Sequence, residues 1–214
     1  MKQNNINVIS VFDDDYPQML KEIYAPPICL YIKGNLQLLK MQNISLIGCR
    51  KCSQYGKKTA YYFSYNLSKA GFNIVSGLAR GIDSYSHIGC LAAKGKTIAV
   101  MGSGLDNIYP KENEQLVNEI IKQNGAIITQ YPLGTKPEKN NFPARNRIIS
   151  GLSKAVLVIE ARAKSGTLIT VDFALEQGKD VFAVPGNINS ANSVGTNELI
   201  KQGAIPVCNY KDIL

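Results

Sequence analysis

The sequence predicts an α/β protein whose strands form one doubly wound, mostly parallel sheet. From residue 44 onward, short and nearly continuous apolar runs alternate with helical patterns, and glycine follows several of those patterns just before the next run. Parallel strands covered by helices on both faces produce such runs, and glycine is common directly after a helix. The apolar runs are 44–47, 73–76, 97–101, 126–129, 155–159, 180–184 and 205–208. The helical patterns lie near 53–70, 81–94, 112–124, 146–152, 166–177 and 195–202. This order indicates an extended Rossmann-like sheet of about seven to nine strands.

A short N-terminal leader, residues 1–43, is expected to pack on a main domain of residues 44–214. Acidic residues followed by Pro17 predict a short helix, because proline is favoured in the first turn. The double proline at 26–27 ends that helix, and the apolar run at 28–32 predicts a strand.

The composition is that of a globular protein. The chain has 214 residues, of which 45% are hydrophobic and 19% charged, and this excludes disordered, collagen-like and coiled-coil classes. No apolar stretch approaches the ~20 residues of a membrane span, and no signal peptide is visible. The sequence therefore predicts a cytoplasmic protein that is not associated with a membrane.

The positive charge is unevenly distributed. Lysine and arginine number 24 against 16 acidic residues, which gives +8. Residues 1–44 carry four of each sign, so the surplus lies in 45–214, and residues 136–164 alone hold seven bases and two acids, a local +5. A second cluster is Arg50, Lys51, Lys57 and Lys58. Such clusters favour a polyanionic partner, since neutralised phosphates release counterions; ordinary solubility charge is the alternative.

The five cysteines do not form a recognisable metal site. They are scattered, as in a protein whose thiols stay reduced, and Cys49 and Cys52 form one isolated C-x-x-C. Zinc would need two further ligands, and His87 is the single histidine, so no metal is predicted. A redox pair at a helix start, with thiol pKa values lowered by the neighbouring bases, stays open beside simple coincidence.

Glycine-rich turns that follow the strands are the candidate ligand loops. Ligands of doubly wound sheets bind beyond the carboxyl ends of the strands, and amides at helix starts favour anions. Ser76-Gly77 and Ser165-Gly166-Thr167 are the candidate phosphate cradles, with Arg50, Arg80 and Lys164 beside these turns. The alternative is that the glycines only make tight turns.

Dinucleotide binding is disfavoured, and no cofactor is predicted. The run Gly102-Ser103-Gly104 has Asn107 where the G-x-G-x-x-G fingerprint needs its third glycine. It also follows the third strand of the unit, whereas the fingerprint follows the first.

The most unusual segment is 140–147, interpreted as a loop that enters a helix. It combines Phe142 with Arg145 and Arg147. An aromatic platform with nearby cations is what single-stranded nucleic acid needs. The alternative is a buried Phe142 with an arginine bonded to carbonyls at the sheet end, and we expect one of the two arginines to be structural in that way.

No nucleophile–base constellation is visible, so the sequence predicts a binding protein and not an enzyme. A single helical histidine such as His87 is more often packed than catalytic. Asp83 and Asp106 are interpreted as helix-capping or loop-fixing groups.

Taken together, these residues resemble the DNA-processing protein A family, DprA, also called Smf. The blocks that carry the resemblance are Tyr16-Pro17 with Leu20, Pro26-Pro27 through Lys33-Gly34, Gly48-x-Arg50-x-x-Ser53-x-Tyr55-Gly56, Ser76-Gly77-x-Ala79-Arg80-Gly81-Ile82-Asp83, Gly102-Ser103-Gly104-Leu105-Asp106 with Tyr109-Pro110, Phe142-Pro143-x-Arg145-Asn146-Arg147-Ile148-Ile149, Glu160-Ala161 with Ser165-Gly166-Thr167, Val184-Pro185-Gly186, and Gly195-Thr196-Asn197 with Gly203-Ala204.

The resemblance implies an extended Rossmann fold that binds single-stranded DNA and loads the RecA recombinase onto it in natural transformation and recombination. It implies a homodimer, with no catalysis and no cofactor. The family's DNA pocket corresponds to Arg50, Lys139 and Phe142, supported by 102–104 and 165–166. With the residues singled out above, the predicted nucleic-acid contacts are Arg50, Lys139, Phe142, Arg80, Arg145, Arg147, Lys164, Ser76, Gly77, Gly102, Ser103, Gly104, Ser165, Gly166 and Thr167.

The chain departs from the family's usual extent. The helical domain that often precedes the Tyr16 block and the winged-helix domain that often follows are missing, so we expect a fragment or a short member. The alternative from the same broad fold group is a nucleotide phosphoribohydrolase of the lysine-decarboxylase-like type, or a nucleotide-sensing module. Those hydrolases carry a catalytic glutamate where this chain has Thr170.

Overall fold

The computed structural model describes residues 6–214, in which nine strands form one sheet. The strands are β1 (Ile6–Ser10), β2 (Cys29–Gly34), β3 (Asn43–Ile47), β4 (Asn73–Ser76), β5 (Thr97–Val100), β6 (Ala126–Thr129), β7 (Ala155–Val158), β8 (Asp180–Ala183) and β9 (Ile205–Pro206). The α-helices are α1 (Gln18–Lys21), α2 (Gln54–Lys69), α3 (Ile82–Ala92), α4 (Glu114–Lys122), α5 (Asn141–Gly151), α6 (Gly166–Glu176) and α7 (Val194–Lys201). Short 3₁₀ helices lie at Leu36–Lys40, Lys111–Asn113 and Tyr210–Ile213. None of the helices in this part of the chain has the length and apolar character to cross a membrane.

The order of the strands confirms the predicted doubly wound fold. It runs β1-β2-β6-β5-β4-β3-β7-β8-β9, and β3 to β9 pair in parallel with their neighbours. From β3 the chain builds outward to β6, then returns to β7 on the other side of β3. The boundary between β3 and β7 is therefore the topological switch point, where a crevice opens at the carboxyl ends of the strands.

Each face of the sheet has its own apolar layer. On one face, buried side chains of α5, α6 and α7 pack on the strands, among them Ile148 and Val171. On the other face, Phe63 of α2 and Ile82 of α3 are among the fully covered residues. Every residue of β3 is buried, which explains why the central strands are nearly continuous apolar runs in the sequence.

The N-terminal segment extends the same sheet. β1 pairs with β2 and β2 with β6, both antiparallel, so this segment adds two strands beside the parallel ones. Helix α1 is a single turn without a side-chain cap, because its N-cap residue is Pro17, and Asp15 forms an ion pair with Lys40 (Oδ1–Nζ 3.0 Å). The domain boundary at residue 43 stays a prediction.

The segment 140–147 corrects one expectation, because it is helix and not loop. Helix α5 begins at Asn141, so Phe142, Arg145 and Arg147 lie on its first two turns. The proline at 143 is tolerated there, since the first N–H groups of a helix have no intrahelical acceptor. Residues 142, 145, 146 and 149 line one pocket, as helical spacing requires, whereas 147 lies outside that lining.

Candidate nucleic-acid interface

A pocket of about 690 Å³ lies at the switch point. It is formed by the turn after β3, the turn after β7, the first turns of α5 and α6, and the segment before α5. Its basic lining residues are Arg50, Lys51, Lys139, Arg145, Arg162 and Lys164. Among the lining residues within 6–214, Asp83 is the single carboxylate. The lining therefore has a surplus of positive charge, which suits a polyanionic ligand.

Two of the predicted contacts, Arg50 and Phe142, touch each other. The Arg50 guanidinium lies over the Phe142 ring, with Cζ 5.4 Å from the ring centroid. The Tyr109 ring lies 5.5 Å from that of Phe142, and the Arg80 guanidinium lies 5.9 Å from the Tyr109 ring centroid. These four side chains, three from loops and Phe142 from the first turn of α5, form what we call the cation–aromatic row. Lys139, which is exposed, lines the same pocket as Arg50 and Phe142.

Tyr109 had no role in the predicted site. The sequence shows only its place in a Tyr-Pro block, and its partner Phe142 lies 33 residues further along the chain. In the structure 39% of Tyr109 is exposed at the pocket, so its ring adds a second aromatic surface.

Gly102 allows the Phe142 ring to occupy its place. A Cβ atom at this position would lie 2.9 Å from Cδ1 of Phe142, closer than non-bonded carbons approach. The neighbouring Ser103 and Gly104 are not in the pocket lining. The Ser103 hydroxyl donates to the Asn107 carbonyl (2.6 Å) and the Gly104 N–H to the Thr135 carbonyl (2.9 Å). These two residues hold the loop in shape. Gly102 is likewise outside the lining, and the predicted contacts of all three with nucleic acid stay predictions.

Arg145 is the structural arginine that we expected. Its side chain is buried, and Nη1 donates to the Gly77 carbonyl (2.6 Å) and to the Val100 carbonyl. It therefore joins the ends of β4 and β5 beneath the pocket. Burial lowers the pKa of Arg145 to about 10, and the nearby Asp83 carboxylate opposes that shift. The guanidinium stays charged at neutral pH.

The turn at Ser76-Gly77 is not an anion cradle. The Ser76 hydroxyl donates to the Leu46 carbonyl (2.7 Å), and the Gly77 N–H donates to Oδ2 of Asp83 (3.1 Å). Asp83 also accepts from the Ala79 N–H (3.3 Å). Both donors of the predicted cradle are thus used inside the protein. Burial raises the pKa of Asp83 to about 6, with Arg145 lowering it in part, so the carboxylate is mostly ionised at pH 7.

The turn at Ser165-Gly166-Thr167 does reach the pocket. Ser165 caps α6, its hydroxyl accepting from the Thr167 N–H (3.2 Å), and Lys164 precedes it on the pocket lining. A Cβ at Gly166 would meet no atom within 4 Å, so its backbone faces open space. This geometry fits an anion at a helix start.

Of the other predicted arginine contacts, Arg147 lies away from the pocket and Arg80 lies at its border. Nε of Arg147 donates to the Ala25 carbonyl (2.9 Å) and Nη2 to Oε1 of Gln130 (2.7 Å). Arg147 therefore ties the N-terminal segment to α5, because five helical residues turn it away from Phe142. Arg80 lies at the edge of the row, where it forms an exposed ion pair with Glu112 (Nη2–Oε2 2.7 Å).

The remaining titratable groups give no catalytic or metal constellation. Burial, with the Glu160 carboxylate nearby, raises the pKa of Cys49 and of Cys52, so the redox interpretation that relied on lowered thiol pKa values is wrong. His87 is packed, as predicted: burial lowers its pKa to about 3, and Nδ1–H donates to the Thr97 hydroxyl (2.7 Å), which itself donates to a carbonyl. No cluster of three metal-ligating side chains occurs among residues 6–214.

Comparison with known proteins agrees with this architecture. The family model for DNA recombination-mediator protein A matches residues 7–214. The DNA processing protein DprA of Bacillus subtilis (strain 168) is 44% identical over 213 residues, which is 99% of this chain and 71% of the relative.

Two solved structures are similar in both fold and sequence. DNA processing protein A from Streptococcus pneumoniae superposes with a TM-score of 0.93 at 43% identity, covering 99% of this chain and 75% of that one. DNA processing protein A from Helicobacter pylori, whose structure describes a single-stranded DNA binding mode, gives a TM-score of 0.87 at 31% identity, with 97% and 93% covered. This chain therefore belongs to the DNA recombination-mediator protein A family.

Proposed function

We propose that this protein binds single-stranded DNA in the pocket at the β3–β7 switch point and thereby serves DNA recombination and transformation. The observation that carries the proposal is the pocket lining, with six basic side chains against one carboxylate, beside the cation–aromatic row. Arg50 and Lys139 hold phosphates, and Phe142 with Tyr109 offers ring surfaces to unpaired bases. Membership of the family supports the same role.

The chemistry of the pocket favours binding over catalysis. Asp83 is committed to two backbone N–H groups and has Arg145 nearby, so it lacks the free carboxylate that a general base needs. Thr170 lines the pocket where the phosphoribohydrolases have glutamate, and a hydroxyl neither activates water nor stabilises an oxocarbenium ion. We therefore expect no release of base from nucleoside monophosphates.

The direct test is a fluorescence anisotropy titration of oligothymidine and of a duplex of equal length at two salt concentrations. We expect tighter binding of the single strand and an affinity that falls with salt, by about 0.7 in logarithmic slope for each phosphate neutralised. Lys122→Gln, on α4, is a control for loss of one exposed charge away from the pocket. Equal affinity for the duplex, or a response that is flat in salt, would contradict the proposal.

Loading of RecA and homodimer formation belong to the same proposal, which places the protein in the cytoplasm. Both come from the family resemblance. Sedimentation should give about twice the 23.4 kDa mass of the chain. A strand-exchange assay with DNA covered by a single-strand-binding protein should show faster RecA filament formation when this protein is present. A monomeric mass would contradict the proposed homodimer, and an unchanged rate of filament formation would contradict the proposed loading of RecA.

A further inference from the structure

A long stretch of the sequence contains no acidic residue. Between Glu22 and Asp83 there are 60 positions without aspartate or glutamate, and the same stretch holds Arg50, Lys57, Lys58 and other bases. Helix α2 lies wholly within it, and Asp83 at the start of α3 is buried. The outer surface of α2 therefore carries positive charge with no carboxylate of its own to balance it.

The outward side of α2 consists mainly of tyrosine and lysine. Tyr55 is 53% exposed, Tyr61 39% and Tyr62 38%. We define the Tyr–Lys face as these residues with their neighbours on the two packed helices: Tyr55, Lys57, Lys58, Tyr61, Tyr62, Tyr65, Lys69 and Tyr85. The short helix at Tyr210–Ile213 borders this face through Tyr210, whose ring centroid lies 6.3 Å from that of Tyr62. Its one acid, Asp212, accepts hydrogen bonds from two backbone N–H groups.

Cations and rings interleave on this face. The Tyr61 and Tyr65 rings are nearly parallel, with centroids 6.0 Å apart and an interplanar angle of 17°. Lys69 Nζ lies 5.9 Å from the Tyr65 centroid, and Lys57 Nζ lies 5.4 Å from the centroid of Tyr85 on α3. The rings and ammonium groups are thus positioned by contacts with one another.

Ordinary solvation does not account for this composition. Other exposed helices of the chain pair lysine with glutamate, as Lys122 with Glu119 on α4 (3.9 Å) and Lys201 with Glu198 on α7 (3.6 Å). Such pairs support a helix, whereas tyrosine has a lower helix propensity than glutamate, lysine or alanine. Helix formation alone therefore does not favour tyrosine at these positions of α2, and the exposed part of each ring is free to stack on a ligand.

We propose that the Tyr–Lys face binds a further stretch of the same single strand, continuing from the switch-point pocket. The inference rests on the proposed function. The charge is complementary to phosphate, and α2 is capped by Ser53, three residues after Arg50, so the face begins at the pocket edge. Helix α2 has 16 residues and runs for about 24 Å from there. Exposed rings suit unpaired bases, whereas a duplex offers only its backbone and groove edges.

The test compares Lys58→Gln/Lys69→Gln with Lys122→Gln/Lys201→Gln, which removes the same charge from α4 and α7. Each double variant is titrated with oligothymidines of about 6 and about 25 nucleotides, spanning a pocket-sized and a longer site. For the long strand, we expect the α2 variant to bind about fivefold to tenfold more weakly than wild type and to lose about 1.4 in salt slope, two phosphates at ~0.7 each. For the short strand we expect no change, and for the control little change with either strand.

Tyr61→Ala separates stacking from charge. It should weaken binding of the long strand by about fivefold or more and leave the salt slope unchanged, because a lost base stack removes no cation. Thermal melting of each variant shows that α2 still folds, since alanine and glutamine are good helix formers.

The outcomes distinguish this inference from the proposed function. A wild-type protein that binds neither oligothymidine overturns both. If wild type binds and the α2 variants match the control, or weaken the short strand equally, the face is not a continuation of the pocket and the inference alone fails. A loss confined to duplex DNA would assign the face to a different ligand and likewise overturn it.

Discussion

Replacing Gly102 by alanine tests whether the position of the Phe142 ring governs DNA binding. The new Cβ would lie 2.9 Å from Cδ1 and 3.2 Å from Cε1 of Phe142, whereas non-bonded carbons prefer about 3.5–4.0 Å. The ring must therefore withdraw by about 0.5–1 Å. Because Phe142 is only half-buried, the ring moves and not the backbone, so the free energy of unfolding should fall by no more than about 1 kcal/mol.

A displaced ring loses part of the stacking energy, which is about 1–3 kcal/mol per base. We expect Gly102→Ala to weaken binding of oligothymidine by about fivefold, or about 1 kcal/mol, with an unchanged salt slope. Anisotropy titrations of Gly102→Ala, Phe142→Ala and the double variant measure this. In the Phe142→Ala background the methyl group added by Gly102→Ala has room, so it should cause no further loss of affinity for oligothymidine. If Gly102→Ala weakened binding in that background as much as it does in wild type, Gly102 would act without Phe142. That result would refute a role for the ring position.

Three further predictions concern single residues. Arg50→Ala should weaken binding of single-stranded DNA by about 1–3 kcal/mol and lower the salt slope by about 0.7, measured by anisotropy; an unchanged slope would contradict a phosphate contact. Arg145→Ala should lower the free energy of unfolding by about 3–5 kcal/mol in urea titrations, because two carbonyls and the Asp83 carboxylate lose their partner; a loss below about 1 kcal/mol would contradict this. In the variant His87→Asn, whose side chain can keep the hydrogen bond to Thr97, the free energy of unfolding should fall less at low pH than it does in wild type. His87 has a pKa of about 3 in the folded state against an ordinary 6.5, so the unfolded state alone gains the proton as pH falls below 6.5. The stability advantage of wild type should shrink as pH falls below 6.5, at a rate that approaches about 1.4 kcal/mol per pH unit near pH 5, and a constant difference would show that His87 does not titrate as described.

The fold class and the positions of most strands and helices could be predicted because burial on both faces leaves a direct trace in the sequence. A run such as 155–159 is apolar at every position since helices cover both sides of β7. The grouping of Arg50 with Phe142 was implied by the family resemblance, and it agrees with topology because both residues lie beyond the carboxyl ends of the parallel strands.

Other parts of the site depend on three-dimensional detail that the sequence does not carry. Whether Arg145 or Arg147 turns inward depends on where α5 begins, and the helical pattern near 146–152 placed that start too late. Whether Ser76-Gly77 offers free donors depends on Asp83, which lies on the next helix. The proximity of Tyr109 to Phe142 comes from the packing of two distant loops, which local patterns do not encode.

The most direct test of the central claim is a crystal structure of the protein with a bound oligothymidine. The account predicts that the strand passes through the switch-point pocket, with phosphates beside Arg50 and Lys139 and a base against Phe142 or Tyr109. A strand bound at another surface, with this pocket empty, would contradict it.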